Sequence, residues 1–333
     1  MKKLHAKSPC CQGDVKRYGN RRRQCVLCKK TWRVRKKKRG RKNKREQDSL
    51  LIRYLQHEVP SLYAWAHAKN QSERFLQARL NRSLRYFLRQ TSWPDLSKEG
   101  NLVLVADAML RYVENEWRTF YLVAVKNTLN NYAVIAPPFI HKDRETYLGW
   151  QKALNRLPEE IKARIKAIVC DGHRGLIYYA KRSGWLIQRC HFHLIASIQS
   201  RRSKWRYSRH RVEGQRIYDL VNHVLTTLDE KTIMESIAQI EKLAWCTKSQ
   251  KLRKILSGFV NHYQEFRTYL YYPELNLPKT NNAMESLIGT IQHLCHRARG
   301  FCTLASFERW VCAIIKHKKK IKCNGSHQPN FGR

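Results

Sequence analysis

Acidic side chains are scarce in this sequence. Its 333 residues include 25 Asp and Glu against 66 Lys and Arg, a formal net charge of +41. Only a polyanionic partner makes sense of that excess. Long apolar runs are also lacking: none approaches the roughly 20 residues that a membrane-spanning helix needs. Nucleic acid is therefore the expected polyanion, and a membrane is not expected as a partner. Residues 1–7 lack a signal-peptide core. The eleven cysteines are then expected as thiols or metal ligands in the cytoplasm, not as a disulfide framework. Hydrophobic residues make up 42% of the chain, which supports a globular protein large enough for a catalytic core and small accessory domains.

Because carboxylates are few, their placement is informative. Residues 102–110 form an apolar run broken only at Asp107, the pattern of a strand covered on both faces. An isolated ionised carboxylate there costs on the order of several kcal/mol unless partners or a metal compensate it. The ordinary alternative is an Asp that caps a turn or pairs with a basic residue. Two later segments also put a carboxylate where secondary structure changes: Asp171 follows the strand-like stretch 165–170, and Glu285 stands near a helix start at Asn281 and Asn282. Three such carboxylates point to a divalent-metal site. Glu285 has a local alternative of its own, since with Asn282 as N-cap it stands three residues on, as in a capping box.

Residues 1–46 read as a zinc-ribbon-like segment with a basic arm. Cys25 and Cys28 have the spacing of a metal knuckle, whereas Ser8 stands where the partner knuckle would place its first cysteine. Cys11, Cys25 and Cys28 are candidate ligands of one structural zinc, with Cys10 or His5 as the fourth; the alternative is a degenerate ribbon held by packing. Residues 33–45 carry Lys or Arg at ten of thirteen positions, expected as a phosphate-binding arm, with a solvated linker as the alternative.

Residues 47–100 are expected as a helix-turn-helix-like region of three short helices plus a linker. Leu50, Leu51, Tyr54 and Leu55 share one face, and Leu62, Trp65 and Ala66 another. After a turn at residues 70–72, a third helix has Phe75, Leu76 and Leu80 inward and Arg74, Arg79 and Arg82 outward. A three-helix spacer with basic faces fits the same pattern.

Residues 101–196 and 281–322 are expected to form one α/β core. Strands at 102–108, 119–125 and 132–136 precede a helix at 141–157, with Tyr147, Trp150 and Leu154 inward, then a strand at 165–170, a helix at 175–182 and a strand at 185–190. This is the element order of a ribonuclease-H-like fold. In it the strands at 102 and 165 lie side by side and bring Asp107 close to Asp171 at strand carboxyl ends. Residues 197–280 show no strand signal and read as an all-helical insertion, with Ile217, Leu220, Val221, Val224, Leu225 and Leu228 on one stripe and Leu252, Ile255, Leu256, Phe259, Val260 and Tyr263 on another. The helix bearing Glu285 and a last helix at 304–316 complete the core, and 323–333 form a basic tail.

Asp107, Asp171, Cys190-His191-Phe192-His193 and Glu285, in that order and with a helical segment before the Glu, resemble Mutator-like bacterial insertion-sequence DDE transposases. The specific parts are Asp171-Gly172-His173-Arg174-Gly175-Leu176, the Cys-x2-His pair of Cys190 and His193, and Thr280-Asn281-Asn282-Ala283-Met284-Glu285. The resemblance covers most of the chain. It implies that Asp107, Asp171 and Glu285 are a catalytic triad holding two magnesium or manganese ions, hard cations that take oxygen ligands and serve phosphodiester cleavage. It gives Cys190 and His193 a supporting role, a packed Cys and a hydrogen-bonded His being the alternative. It also makes Trp205 and Trp245 of the insertion candidates for stacking on an unpaired base, though either could be core.

The implied activity is cleavage of double-stranded DNA at the ends of an element and joining of the freed 3′-hydroxyl to target DNA. Residues 1–100 would read the terminal repeats, with the protein a homo-oligomer on the nucleoid. Two rivals are a transposase-derived DNA-binding regulator without catalysis, and a nuclease or resolvase on the same fold.

Overall fold

The computed structural model describes residues 7–19, 22–33, 44–59, 61–96, 100–204, 211–298 and 303–323. The chain separates into two units, Met1–Leu50 and Leu51–Arg333. In the first, β1 (Val15–Arg17), β2 (Arg22–Cys25) and β3 (Thr31–Arg33) form an antiparallel sheet in that order. Only Ser8, Gly13 and Cys25 are buried between residues 7 and 33 among the described residues. So little apolar burial does not stabilise a sheet this small without a staple.

Helix α1 (Lys44–Leu55) leads into the second unit, where α2 (Leu62–Ala68) and α3 (Glu73–Gln90) follow. Ser61 and Ser72 cap the latter two, accepting the N–H of Ala64 at 3.1 Å and of Phe75 at 3.3 Å, each satisfying one orphan donor of a first turn. Leu76, Leu80 and Leu84 make the buried stripe of α3, but Phe75, expected inward, is 54% exposed. It lies one residue, about 100° of helix, off the 76-80-84 seam.

The central sheet contains β4 (Leu102–Val113), β5 (Glu116–Asn127), β6 (Tyr132–Ile135), β7 (Phe139–Lys142), β8 (Ile165–Cys170), β9 (Leu186–Arg189) and β10 (Lys320–Lys322). Its order is β10-β6-β5-β4-β8-β9, with β7 paired to a different stretch of β5. β4 runs antiparallel to β5 and parallel to β8, which is parallel to β9. The long β4–β5 hairpin turns on Glu114 and Asn115, with φ of 52° and 60°. Two left-handed residues in a two-residue loop match the right-handed twist of the strands on either side.

Alternation along β4 sends its residues to two faces. Leu102, Leu104 and Ala106 join a core with Trp150 and Leu154 of α4 (Tyr147–Leu154) and Leu176 and Ala180 of α6 (Arg174–Arg182). The short α5 (Glu159–Lys162) adds Ile161. The opposite face meets α12 (Asn282–Arg297) and α13 (Leu304–Lys318), where Phe307 stacks edge-on against Phe120 of β5 at 4.8 Å between ring centroids.

Helices α7 (His191–Lys204), α8 (Arg211–Thr226), α9 (Glu230–Cys246), α10 (Gln250–Val260) and α11 (Tyr263–Tyr271) come between β9 and α12. They share a core of Leu194, Ile198, Ile217, Val221, Val224, Ile237, Leu252, Leu256 and Phe259.

Several local expectations need correction. His141 and Lys142 are strand, paired with Thr119 and Arg118, so the helix expected from 141 starts at Tyr147. Leu228 is exposed; it falls after the end of α8, where the stripe no longer faces a core. Strands β7 and β10 have no counterpart among the expected elements. His5, the arm at 34–43, Trp205 and the tail from 324 lie outside the described residues. Among those described, no helix is long and apolar enough to cross a membrane.

Candidate active site

The parallel pairing of β4 and β8 sets two carboxylates at one level. Val105 is opposite Val169, so Asp107 and Asp171 each stand two residues further on and project to the face that carries α12. Asp107 is only 8% exposed. Its Oδ1 accepts the Ala108 N–H at 2.8 Å, and its Oδ2 accepts the side-chain amide of Asn281 at 3.0 Å. Burial pushes its carboxyl up to about 8; Asp171, Glu285 and Glu145 push in the same direction, and the Ala108 N–H opposes them. Asp171 leaves the strand through Gly172, whose φ of +105° is open to glycine but not to L side chains. This turn lets the His173 N–H reach Asp171 Oδ1 at 2.9 Å.

Glu285 comes to the site on α12. The cap of that helix is Asn281, not Asn282, and the Glu285 N–H closes the first helical bond to the Asn281 carbonyl at 3.1 Å. Glu285 is therefore one position beyond a capping box. The cap side chain does not serve the helix; it donates instead to the Ala106 carbonyl at 3.1 Å and to Asp107. The capping-box reading of Glu285 is thus overturned. Burial and Asp171 raise the Glu285 carboxyl, while His193 draws it down.

Cys190 and His193 adjoin the same place. Cys190 follows β9, its N–H bonded to the Cys170 carbonyl at 2.8 Å, and its buried Sγ accepts the Asn281 N–H at 3.1 Å. Burial raises its thiol against the backbone N–H groups of Asn281, His193 and Phe192. His193 Nδ1 lies 3.3 Å from Glu285 Oε1. One residue, Asn281, thus ties the middle of β4 to the end of β9: its backbone N–H is on Cys190 and its side chain on Asp107.

Glu145 is a fourth acidic residue here, which the sequence reading missed. It precedes Thr146, the cap of α4, whose N–H reaches the Tyr121 hydroxyl at 3.1 Å and whose side chain accepts the Gly149 N–H at 3.1 Å. A Cβ on Gly149 would lie 1.9 Å from that hydroxyl, so only glycine allows this approach. Glu145 Oε1 accepts the indole N–H of buried Trp150 at 2.6 Å and lies 3.3 Å from His173 Nδ1. Burial raises its carboxyl first and Asp171 raises it further, while the Trp150 N–H and His173 oppose. Nothing in the local sequence separates Glu145 from an ordinary helix-surface acid; only the fold brings it to Asp171.

In the first unit, Cys10, Cys11, Cys25 and Cys28 place their sulfurs within 4.8 Å of one another. Cys10 is 3.1 Å from Cys28, Cys11 is 3.2 Å from Cys25, and Cys10 is 3.9 Å from Cys11. Zinc–sulfur bonds of about 2.3 Å in a tetrahedron put sulfurs roughly 3.8 Å apart, so the four could hold one zinc ion. Ser8, expected at a ligand position, lies beside them, 3.5 Å from Cys10 Sγ and 3.7 Å from Cys11 Sγ.

Acidic side chains converging beside the central strands of a mixed sheet, in a strongly basic chain, define an α/β protein with a buried carboxylate centre. The model of the Mutator family of transposases matches residues 104–322, and the chain belongs to that family. It is therefore a Mutator-like transposase. A search of curated proteins finds no match. Among solved structures, the cryo-EM structure of simian T-cell lymphotropic virus intasome in complex with PP2A regulatory subunit B56 gamma is similar over 59% of this chain and 74% of that one. At 12% identity and a TM-score of 0.23, that likeness bears no argument.

Proposed function

We propose that this transposase is a DDE enzyme in which Asp107, Asp171 and Glu285 form the metal-binding triad of a ribonuclease-H-like core. The observation that carries this reading is the environment of Asp107. In a chain of formal charge +41, the residues that raise its carboxyl are three other acids, Asp171, Glu285 and Glu145. Buried like charges at one spot repel unless a cation is shared among them. The antiparallel pairing of β4 with β5 and the parallel pairing of β4 with β8 support the fold assignment.

The donor set suits a hard cation, being all carboxylate oxygen. Glu285 Oε1 and Asn281 Oδ1, both buried, have no hydrogen-bond partner among the described residues, which leaves acceptor capacity for an ion and its water. Asp107, Asp171 and Glu285 would hold magnesium or manganese, two ions in the full reaction. Such ions supply an activated oxygen nucleophile and relieve charge on the attacked phosphate.

The protein's own part is positional. Asn281 fixes Asp107 Oδ2, Cys190 fixes Asn281, and Glu145 lies against His173 behind Asp171. The four-cysteine cluster would hold one zinc in a ribbon, and residues 1–46 and 47–100 would contact the terminal repeats on double-stranded DNA, with residues 197–280 as a helical insertion and 323–333 as a basic tail. The protein would act as a homo-oligomer at the nucleoid in the cytoplasm.

The test is Glu285→Gln beside Asp107→Asn and Asp171→Asn, assayed for binding, cleavage and strand transfer on the element's ends and for manganese binding by the free-ion EPR signal. Each variant is expected to bind ends, lose manganese and lose both reactions. Near-normal activity of Glu285→Gln with both Asp variants dead removes Glu285 from the triad. Wild-type protein that binds without cutting is a regulator, and one that cuts without joining is a nuclease or resolvase.

A further inference from the structure

Glu285 faces two sets of ligands. Toward β9, Cys190 Sγ, His193 Nδ1 and a Glu285 carboxylate oxygen lie within 4.8 Å of one another. His193 Nδ1 and Glu285 Oε1 are 3.3 Å apart, yet both atoms are buried and neither has a hydrogen-bond partner among the described residues. Two facing polar atoms removed from water need a proton or a metal ion between them. Cys190 is fully buried, and its sulfur meets the backbone N–H of Asn281 at 3.1 Å and those of His193 and Phe192. Those contacts anchor the sulfur and favour its thiolate, the form that binds a metal.

The chemistry of this trio differs from that of the triad. One thiolate, one imidazole and one carboxylate form a mixed S, N, O set, which suits zinc or cadmium and is poor for magnesium. Three protein ligands with the fourth position left to water is a usual zinc arrangement. With bonds of about 2.0–2.3 Å, tetrahedral ligand atoms sit roughly 3.3–3.7 Å apart. The side chains of His193 and Glu285 are 41% and 27% exposed, so they are free to close on the fixed sulfur.

We propose that Cys190, His193 and Glu285 form a binding site for a thiophilic divalent cation of the zinc class, and that filling it withdraws Glu285 from the hard-cation position beside Asp107 and Asp171. The metal site stands on the trio alone. The regulatory half rests on the role of Glu285 proposed above.

The probe is cadmium, titrated into the full-length protein and followed by thiolate-to-metal charge-transfer absorbance in the ultraviolet. The wild type is expected to bind two ions per chain, one at the four N-terminal cysteines and one here. Cys190→Ser should leave one. His193→Ala, at a half-exposed side chain that leaves the core untouched, should weaken the second ion at least tenfold, since even outer-shell changes at metal sites cost about 10–100-fold. Two full-affinity ions in both variants would overturn the proposal.

Manganese affinity, read from the free-ion EPR signal, then separates the two halves. It is expected to fall at least about tenfold once the second cadmium is bound. A second cadmium lost in Cys190→Ser but without effect on manganese overturns the withdrawal of Glu285. If wild-type protein free of cadmium binds no manganese, the triad reading fails while the cadmium stoichiometry still decides the site.

Discussion

Replacing Asp107 by Asn should stabilise the metal-free protein at alkaline pH. In the folded chain burial, then Asp171, Glu285 and Glu145, move the Asp107 carboxyl from its ordinary 3.8 up to about 8. The folded state thus holds this proton more tightly than the unfolded state. The stability it contributes is fully present below about pH 4 and is lost as pH rises through about 8. Each tenfold in proton affinity is worth about 1.4 kcal/mol, so ionising Asp107 without metal costs up to ~6 kcal/mol, against ~5–15 kcal/mol for a typical whole domain.

Asparagine keeps the shape and removes the charge, at about 1 kcal/mol for one acceptor lost to Ala108 or Asn281. Histidines run the other way: buried His191, drawn down to about 4 by burial, contributes stability above about 6.5 that is lost as pH falls toward 4. The variant-minus-wild-type difference cancels that background. Urea unfolding in EDTA at pH 5 and pH 8 measures it. The expected result is a small difference at pH 5 and a gain of several kcal/mol for Asp107→Asn at pH 8, with magnesium raising the stability of the wild type alone. Equal stabilities of variant and wild type at pH 8 would falsify the reading of Asp107 as a carboxylate buried among its own kind.

Asn281→Ala removes two buried donations, to Ala106 and Asp107, and should destabilise the chain by about 2–4 kcal/mol in the same urea assay at pH 5; Asn281→Asp, which sets a further acid against Asp107, should do worse at pH 8 than at pH 5. Glu145→Gln keeps an acceptor for Trp150 while removing charge beside Asp171. Metal-free stability at pH 8 should rise, and an unchanged value would show that Glu145 is screened from the centre. Cys25→Ser should release zinc, measured by atomic absorption, with loss of end binding and an unchanged unfolding transition for residues 51–333; protein that never contains zinc and is indifferent to the change would mean that the four sulfurs are a packed cluster. Deleting residues 1–46 should flatten the salt dependence of DNA binding, whose logarithmic slope is about −0.9 per phosphate neutralised on duplex; an unchanged slope would make the basic arm a solvated linker.

What could be read from the chain alone, and what could not, divides by the range of the interaction that decides each feature. The strand at 165–170 was legible to the residue because Ile165–Cys170 is apolar at every position but Lys166, and a covered strand needs little else. β7 and β10 were not legible: Phe139-Ile140-His141-Lys142 and Lys320-Ile321-Lys322 are too short to show a pattern of their own and are strands only because β5 and β6 offer them an edge. The site follows the same division. Asp107 stood out because a charge in an apolar run conflicts with its surroundings, and such conflicts are expected where function resides. Glu145 conflicts with nothing nearby and gives no such signal. The Asn281–Glu285 segment misled for a related reason: its local chemistry satisfies a capping box beginning at Asn282, but Asn281 is held by Cys190, 91 residues away, and by Asp107, 174 away. Those two long-range bonds outweigh one exposed cap, since a buried carboxylate without a donor costs more than a helix end that water can satisfy. Glu285 is thereby moved one position along its helix, out of reach of the cap and toward His193 and Asp171.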